Sequence, residues 1–185
     1  MPVIHRFDRP ERFVAGTVGP PGQRTFFLQA REGNRLTSVA LEKQQVAVLA
    51  ERIDTLLDEV MRAAEGIEVV PAIAPPALED TAPLVQPVEE EFRAGTMVLA
   101  WDAEAHRVVI EVFAVGDPAE EPEVEAPEAS ADEVLVVGLT PALARAFCKR
   151  AEAVVAAGRP PCQFCGAPLD PEGHLCPRAN GFRRR

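Results

Sequence analysis

One pattern constrains the possible folds of this chain more than any other, and it occurs twice. Three strand-like runs are followed by a helix with a single apolar stripe. In the first occurrence, 13–64, residues 13–18 read as a strand and Gly19-Pro20-Pro21-Gly22 as a turn. Residues 24–31 are a second strand with Phe26, Leu28 and Ala30 on one face. Glu32-Gly33-Asn34 is a hairpin turn, and 36–41 a third strand. Glycine and proline at the joints, with aromatic and β-branched residues between, predict an antiparallel meander. Over 42–64, Val46, Leu49, Ile53, Leu56, Leu57 and Val60 recur at spacings of three and four, which predicts a core-facing helix stopped by Gly66.

The second occurrence, 94–157, has the same order. Strands are expected at 96–102, 107–115 and 133–139, the middle one almost continuously apolar and so central in the sheet. Thr140-Pro141 opens a helix to about 157: the threonine hydroxyl accepts a backbone N–H and proline fits the first turn. The expectation is an α+β fold built from two strand-strand-strand-helix units, a pseudo-repeat at 13–64 and 94–157. They would share one antiparallel sheet with both helices on one face.

Two stretches fall outside the pattern. Between the units, 67–91 is interrupted by five prolines and reads as an extended connection that docks Ile67, Val69, Val70 and Ile73 on the domain. Inside the second unit, 117–133 holds eight acids and no base, so it reads as a flexible acidic loop unable to bury enough apolar surface to order itself.

The chain divides into a body, 1–158, and a C-terminal segment, 159–185, where the chemistry concentrates. Cys162-x-x-Cys165-Gly166 and His174-x-Cys176 place three of the four cysteines and one of the three histidines within fifteen residues. Two thiolates two residues apart can bind one ion from a tight turn, and the following glycine allows backbone N–H groups to face sulfur. Pro168-Leu169-Asp170-Pro171-Glu172-Gly173 is turn chemistry that brings the halves together. Cys162, Cys165, His174 and Cys176 are therefore the expected ligands of one structural Zn2+ in a closed knuckle, although the single residue between His174 and Cys176 is shorter than usual. A redox reading of Cys162-x-x-Cys165 lacks the helix N-terminus it needs, since Gly166-Ala167-Pro168 follows. Cys148 reads as a small hydrophobe at the core edge, with a role as spare ligand left open.

Charge separates the same two parts. The net charge is −10, but 159–185 carries five arginines against Asp170 and Glu172, or +3, which leaves −13 on the body. An acidic body repels phosphates, so nucleic-acid contact is cheap only at the tail. No apolar run approaches the ~20 residues of a membrane helix. The first residues lack a secretory core, which makes the cytoplasm the expected compartment.

Other motifs carry less. Gly16-x-x-Gly19-x-x-Gly22 has prolines where a phosphate loop needs N–H groups. His5 and His106 stand alone and read as surface or strand-edge residues rather than catalysts, and Glu89-Glu90-Glu91 reads as a solvated charge run. No nucleophile–base set can be assembled.

Several stretches resemble a family of conserved hypothetical proteins of this length from high-GC Gram-positive bacteria that carry a domain of unknown function. They are Arg12 through Gly19, Thr25 through Ala30, Leu41 through Val46, Leu99-Ala100-Trp101-Asp102, Cys162 through Gly166, and His174 through Gly181. The resemblance implies one architecture ending in a metal knuckle and brings no activity with it.

The functional expectation is a non-enzymatic interaction protein. The sheet would supply a platform, and the knuckle with Arg178, Asn180, Arg183, Arg184 and Arg185 the contact to a protein partner or to nucleic-acid phosphate. The alternative is a small enzyme with Asp8 and Asp102 as acid/base groups in a shared pocket and zinc purely structural. A third reading makes the knuckle a staple holding the tail to the body. Nothing in the sequence selects an oligomeric state.

Overall fold

The computed structural model describes residues 2–63, 70–116, 131–158, 160–169 and 173–178. The acidic loop, except for its last three residues, lies outside them, as do Gly66, Ile67, Val69, Asn180, Arg183, Arg184 and Arg185.

Both expected meanders form. β2 (Arg12–Val18), β3 (Thr25–Glu32) and β4 (Arg35–Leu41) pair antiparallel, with Phe13 opposite Ala30 and Leu28 opposite Val39. They lead into α1 (Lys43–Ala63). β5 (Glu90–Asp102), β6 (Arg107–Ala114) and β7 (Glu133–Leu139) repeat the arrangement and lead into α2 (Pro141–Ala156). The Thr140 hydroxyl caps α2 by accepting the Leu143 N–H at 3.3 Å.

The antiparallel expectation for the whole sheet is corrected. The sheet has seven strands in the order β1-β7-β6-β5-β4-β3-β2, and it is mixed. β5 joins β4 parallel, with Val39 opposite Phe92. The reason lies in the connection. A two-residue turn would deliver an antiparallel neighbour, but α1 and the stretch after it form a crossover, which returns the chain to the same end of the sheet. The other parallel pair involves β1 (Val3–Phe7), which was not expected as a strand at all and lies on β7 with Ile4 opposite Val134. β5 is also longer than expected. Glu90 and Glu91, read as the end of the connection, are its first residues.

The edge strands β1 and β2 are joined by only four residues, Asp8 to Glu11. Five extended steps from Phe7 to Arg12 reach at most ~17 Å, whereas a flat seven-strand sheet is roughly 29 Å across. The sheet must therefore curl until its edges approach at this end. Arg9 N–H donates to Glu32 Oε1 at 3.0 Å, Glu11 N–H to the Arg31 carbonyl at 2.9 Å, and the Arg35 guanidinium lies 4.6 Å over the Phe7 ring.

Residues of all seven strands and both helices meet in one apolar cluster on one face of the sheet. Phe7, Phe13, Leu28, Val39, Phe92, Ile110 and Leu135 contribute from the strands, and Ile53, Leu57 and Phe147 from the helices. Phe13 stacks on Phe147 with centroids 4.8 Å apart. Each fully buried Leu or Ile contributes roughly 1.5–3 kcal/mol.

The proline-rich connection docks, through Val70 as expected but not through Ile73, while Ile67 and Val69 lie outside the described residues. Val70 enters the main core, Ile73 is exposed, and the work on the opposite face falls to Leu84 and Val88 against Val14, Phe27 and Ala40. The buried Gln29 amide fixes the strand-like segment there. Its Oε1 accepts the Val85 N–H at 2.8 Å and its Nε2 donates to the Val85 carbonyl at 3.1 Å. Gly16 makes room: a Cβ on it would meet the Leu84 side chain at 2.6 Å.

Candidate metal centre

The first half of the C-terminal cluster is a tight hairpin. Pro161 and Pro168 form an antiparallel bridge, Cys162 N–H donates to the Ala167 carbonyl at 2.7 Å, and Gly166 N–H donates to the Cys162 carbonyl at 2.8 Å. The turn needs a left-handed residue, which Gly166 supplies with φ +73°. This geometry points N–H groups at sulfur, as the sequence suggests: Phe164 N–H lies 3.4 Å from Cys162 Sγ. The second half enters through Gly173, also left-handed at φ +84°.

One ligand atom from each of Cys162, Cys165, His174 and Cys176 lies within 4.8 Å of all the others, and the four could hold a metal ion. Cys162 and Cys176 are buried, while Cys165 and His174 are half-buried. The sulfurs of Cys162 and Cys176 are 3.8 Å apart, and Cys165 Sγ is 3.2 Å from His174 Nε2. A tetrahedron with metal–sulfur bonds of ~2.3 Å has edges of ~3.8 Å, so the spacing fits one ion. The donor set also fits: three sulfurs and one imidazole leave no position for substrate. Nε2 is the His174 nitrogen that faces the Cys165 sulfur, while Nδ1 is buried and has no hydrogen-bond partner among the described residues.

The thiols are not equivalent. The backbone N–H groups of Cys165 and Phe164 hold the Cys162 thiol below its ordinary range by favouring the thiolate. For Cys165 the Ala167 N–H pulls the same way, but burial and the neighbouring Cys176 and Cys162 sulfurs win and push it up. Cys162 is thus held nearer the thiolate that an ion needs than Cys165 is.

Cys148 is not part of the cluster. It is buried in the main core with its Sγ 3.4 Å from the Ala50 carbonyl, and burial pushes its pKa up to about 12. Of the tail, Arg178 is described: Nη1 lies 3.4 Å from the Phe164 carbonyl, beside the first hairpin.

Neither Asp8 nor Asp102 lines any of the clefts described. Asp8 is exposed and paired with Arg6 at 2.9 Å. Asp102 closes the β5–β6 turn by accepting the Glu104 and Ala105 N–H groups at 3.0 and 2.9 Å. A cleft of about 810 Å³ between α1 and β5 is lined by Val48, Leu56, Met97 and Leu99 among others and includes neither carboxylate. His106 sits in that same turn with φ +51°, its ring 6.3 Å from Trp101. His5, read as isolated, is paired with Glu133 at 2.9 Å, a partner 128 residues away that no local pattern could reveal.

No helix among the described residues is long and apolar enough to cross a membrane. No curated protein and no solved structure matches the chain. A family match runs over residues 5–176, from the first strand through the last of the four clustered ligands, and on this the chain belongs to DUF3090, a family of proteins of unknown function.

Proposed function

We propose that this DUF3090 chain is a non-enzymatic interaction protein. Its C-terminal knuckle holds one structural Zn2+ through Cys162, Cys165, His174 and Cys176. It presents Arg178, Asn180, Arg183, Arg184 and Arg185 to a partner. The observation that carries the reading is that one ligand atom from each of the four residues lies within 4.8 Å of the others. Zinc is the ion for which three thiolates and an imidazole in a tetrahedron are an ordinary structural set. A closed site orders a short segment; it does not bind substrate.

A protein partner is favoured over nucleic acid. Phe164 and Leu175, each lying between two ligands in sequence, are 61% and 87% exposed. Large apolar side chains held out by a metal-ordered turn suit a protein surface better than a phosphate backbone. The −13 charge of the body works in the same direction.

The test is zinc per chain in reduced, purified protein, before and after Cys162→Ser. One zinc, lost in the variant, supports the knuckle; no metal overturns it. Binding of a single-stranded RNA probe across a salt series then separates the partners. Tight binding that weakens steeply with salt would turn the partner reading to nucleic acid.

A further inference from the structure

We infer that His5, Glu91 and Glu133 form a second metal site, for a hard or borderline divalent cation such as Mn2+, separate in its ligands from the cysteine knuckle. The three residues come from three strands. His5 is on β1, Glu91 is the second residue of β5, and Glu133 is the first of β7. The order β1-β7-β6-β5 and the curl of the sheet bring them together at one end. One ligand atom from each lies within 4.8 Å of the other two. His5 Nε2 and Glu133 Oε2 are 2.9 Å apart. Neighbouring ligands on an octahedron with bonds of ~2.1 Å are ~3.0 Å apart, so this pair spans one edge without rearrangement.

The surroundings suit an ion with an open side. The His5 side chain is 19% exposed and that of Glu133 30%, and Phe92 holds the imidazole with ring centroids 6.1 Å apart. Glu91 is exposed and closes the set from the solvent side. Among the described residues nothing pairs with its carboxylate, and the only partner shown for Glu133 is His5. Two carboxylates and a neutral imidazole carry −2, the charge that a divalent cation cancels. The set has oxygen and nitrogen but no sulfur, which selects Mn2+ or a similar ion over the soft metals a thiolate site prefers. Three protein ligands leave the remaining positions to water, unlike the closed knuckle.

Mn2+ is the probe because the thiolate-rich knuckle disfavours it. The full-length protein with zinc in the knuckle is titrated with Mn2+, and free Mn2+ is followed by electron paramagnetic resonance. The expected result is one saturable Mn2+ per chain, weakened at least tenfold by Glu91→Gln and by Glu133→Gln, and retained in Cys162→Ser. Bound Mn2+ should show coupling to an imidazole nitrogen in pulsed spectra, and His5→Ala should remove it. Glu91 is exposed, so Glu91→Gln tests the site without disturbing the fold. Absence of saturable binding up to millimolar Mn2+ would overturn the proposal. So would unchanged binding in both glutamate variants, or loss of binding in Cys162→Ser.

Discussion

At the scale of single residues, the knuckle depends on backbone geometry as much as on its sulfurs. Gly166 holds φ +73° with open space where a Cβ would go, so an alanine there meets no clash and suffers only the left-handed backbone. That conformation costs a non-glycine residue about 1 kcal/mol. If the proposed knuckle holds an ion, Gly166→Ala should weaken its binding roughly fivefold without abolishing it, measured by competition against a chromophoric chelator. Cys148 makes the opposite case. Its chemistry is a thiol's, but burial in the core and a pKa pushed up to about 12 leave it as packing.

Between elements, three arginines hold pieces together that apolar contact alone does not. Arg145, 5% exposed on α2, pairs with Asp54 and with Asp58 on α1 and donates to the Pro71 carbonyl at 3.1 Å, so one side chain ties both helices to the connection. Arg12 on β2 and Arg150 on α2 converge on Asp80: Arg12 Nε is 2.5 Å and Arg150 Nη1 3.1 Å from its carboxylate. The hydrogen bond from Arg12 holds the Asp80 carboxyl below its ordinary value of 3.8. A carboxyl lowered by folding adds stability that is present above its unfolded value and lost as pH falls through the folded one. Asp80→Asn should destabilise the protein by about 1–3 kcal/mol at pH 7, because two half-buried guanidinium groups lose their anion. It should also flatten the acid side of the stability curve below pH 3.8. Urea unfolding of both proteins at pH 7 and in that acid range checks both statements.

For the whole molecule, the main core and the knuckle have separate foundations. The apolar cluster that joins seven strands and two helices includes none of the four clustered ligands. The hydrogen bonds described above for the knuckle stay within its own segment. Stripping the metal with a chelator should therefore leave the main melting transition within about 2 °C, the shift that roughly 0.5–1 kcal/mol gives a domain of this size. A much larger drop, seen by calorimetry, would mean that the knuckle staples the tail to the body.

What the sequence alone determined is what local chemistry controls. Turn residues and side-chain period specified six of the seven strands and both helices, because Gly19 to Gly22, Gly33 and Thr140-Pro141 act on their immediate neighbours. The Cys/His cluster was legible for the same reason: its four residues lie within fifteen positions, and turn geometry suffices to gather them. Tertiary structure decided everything that depends on distant partners. Val3–Phe7 lacks the period-2 alternation that announces a strand and becomes one because β7 offers an edge. The parallel join of β4 and β5 follows from the crossover through α1, whose helix the sequence shows, but which strand the chain returns beside is set by packing. Leu84 rather than Ile73 anchors the connection because Gly16, far away in the chain, leaves a recess for it. His5, Glu91 and Glu133 look unrelated in the sequence because only the curl of the sheet makes them neighbours.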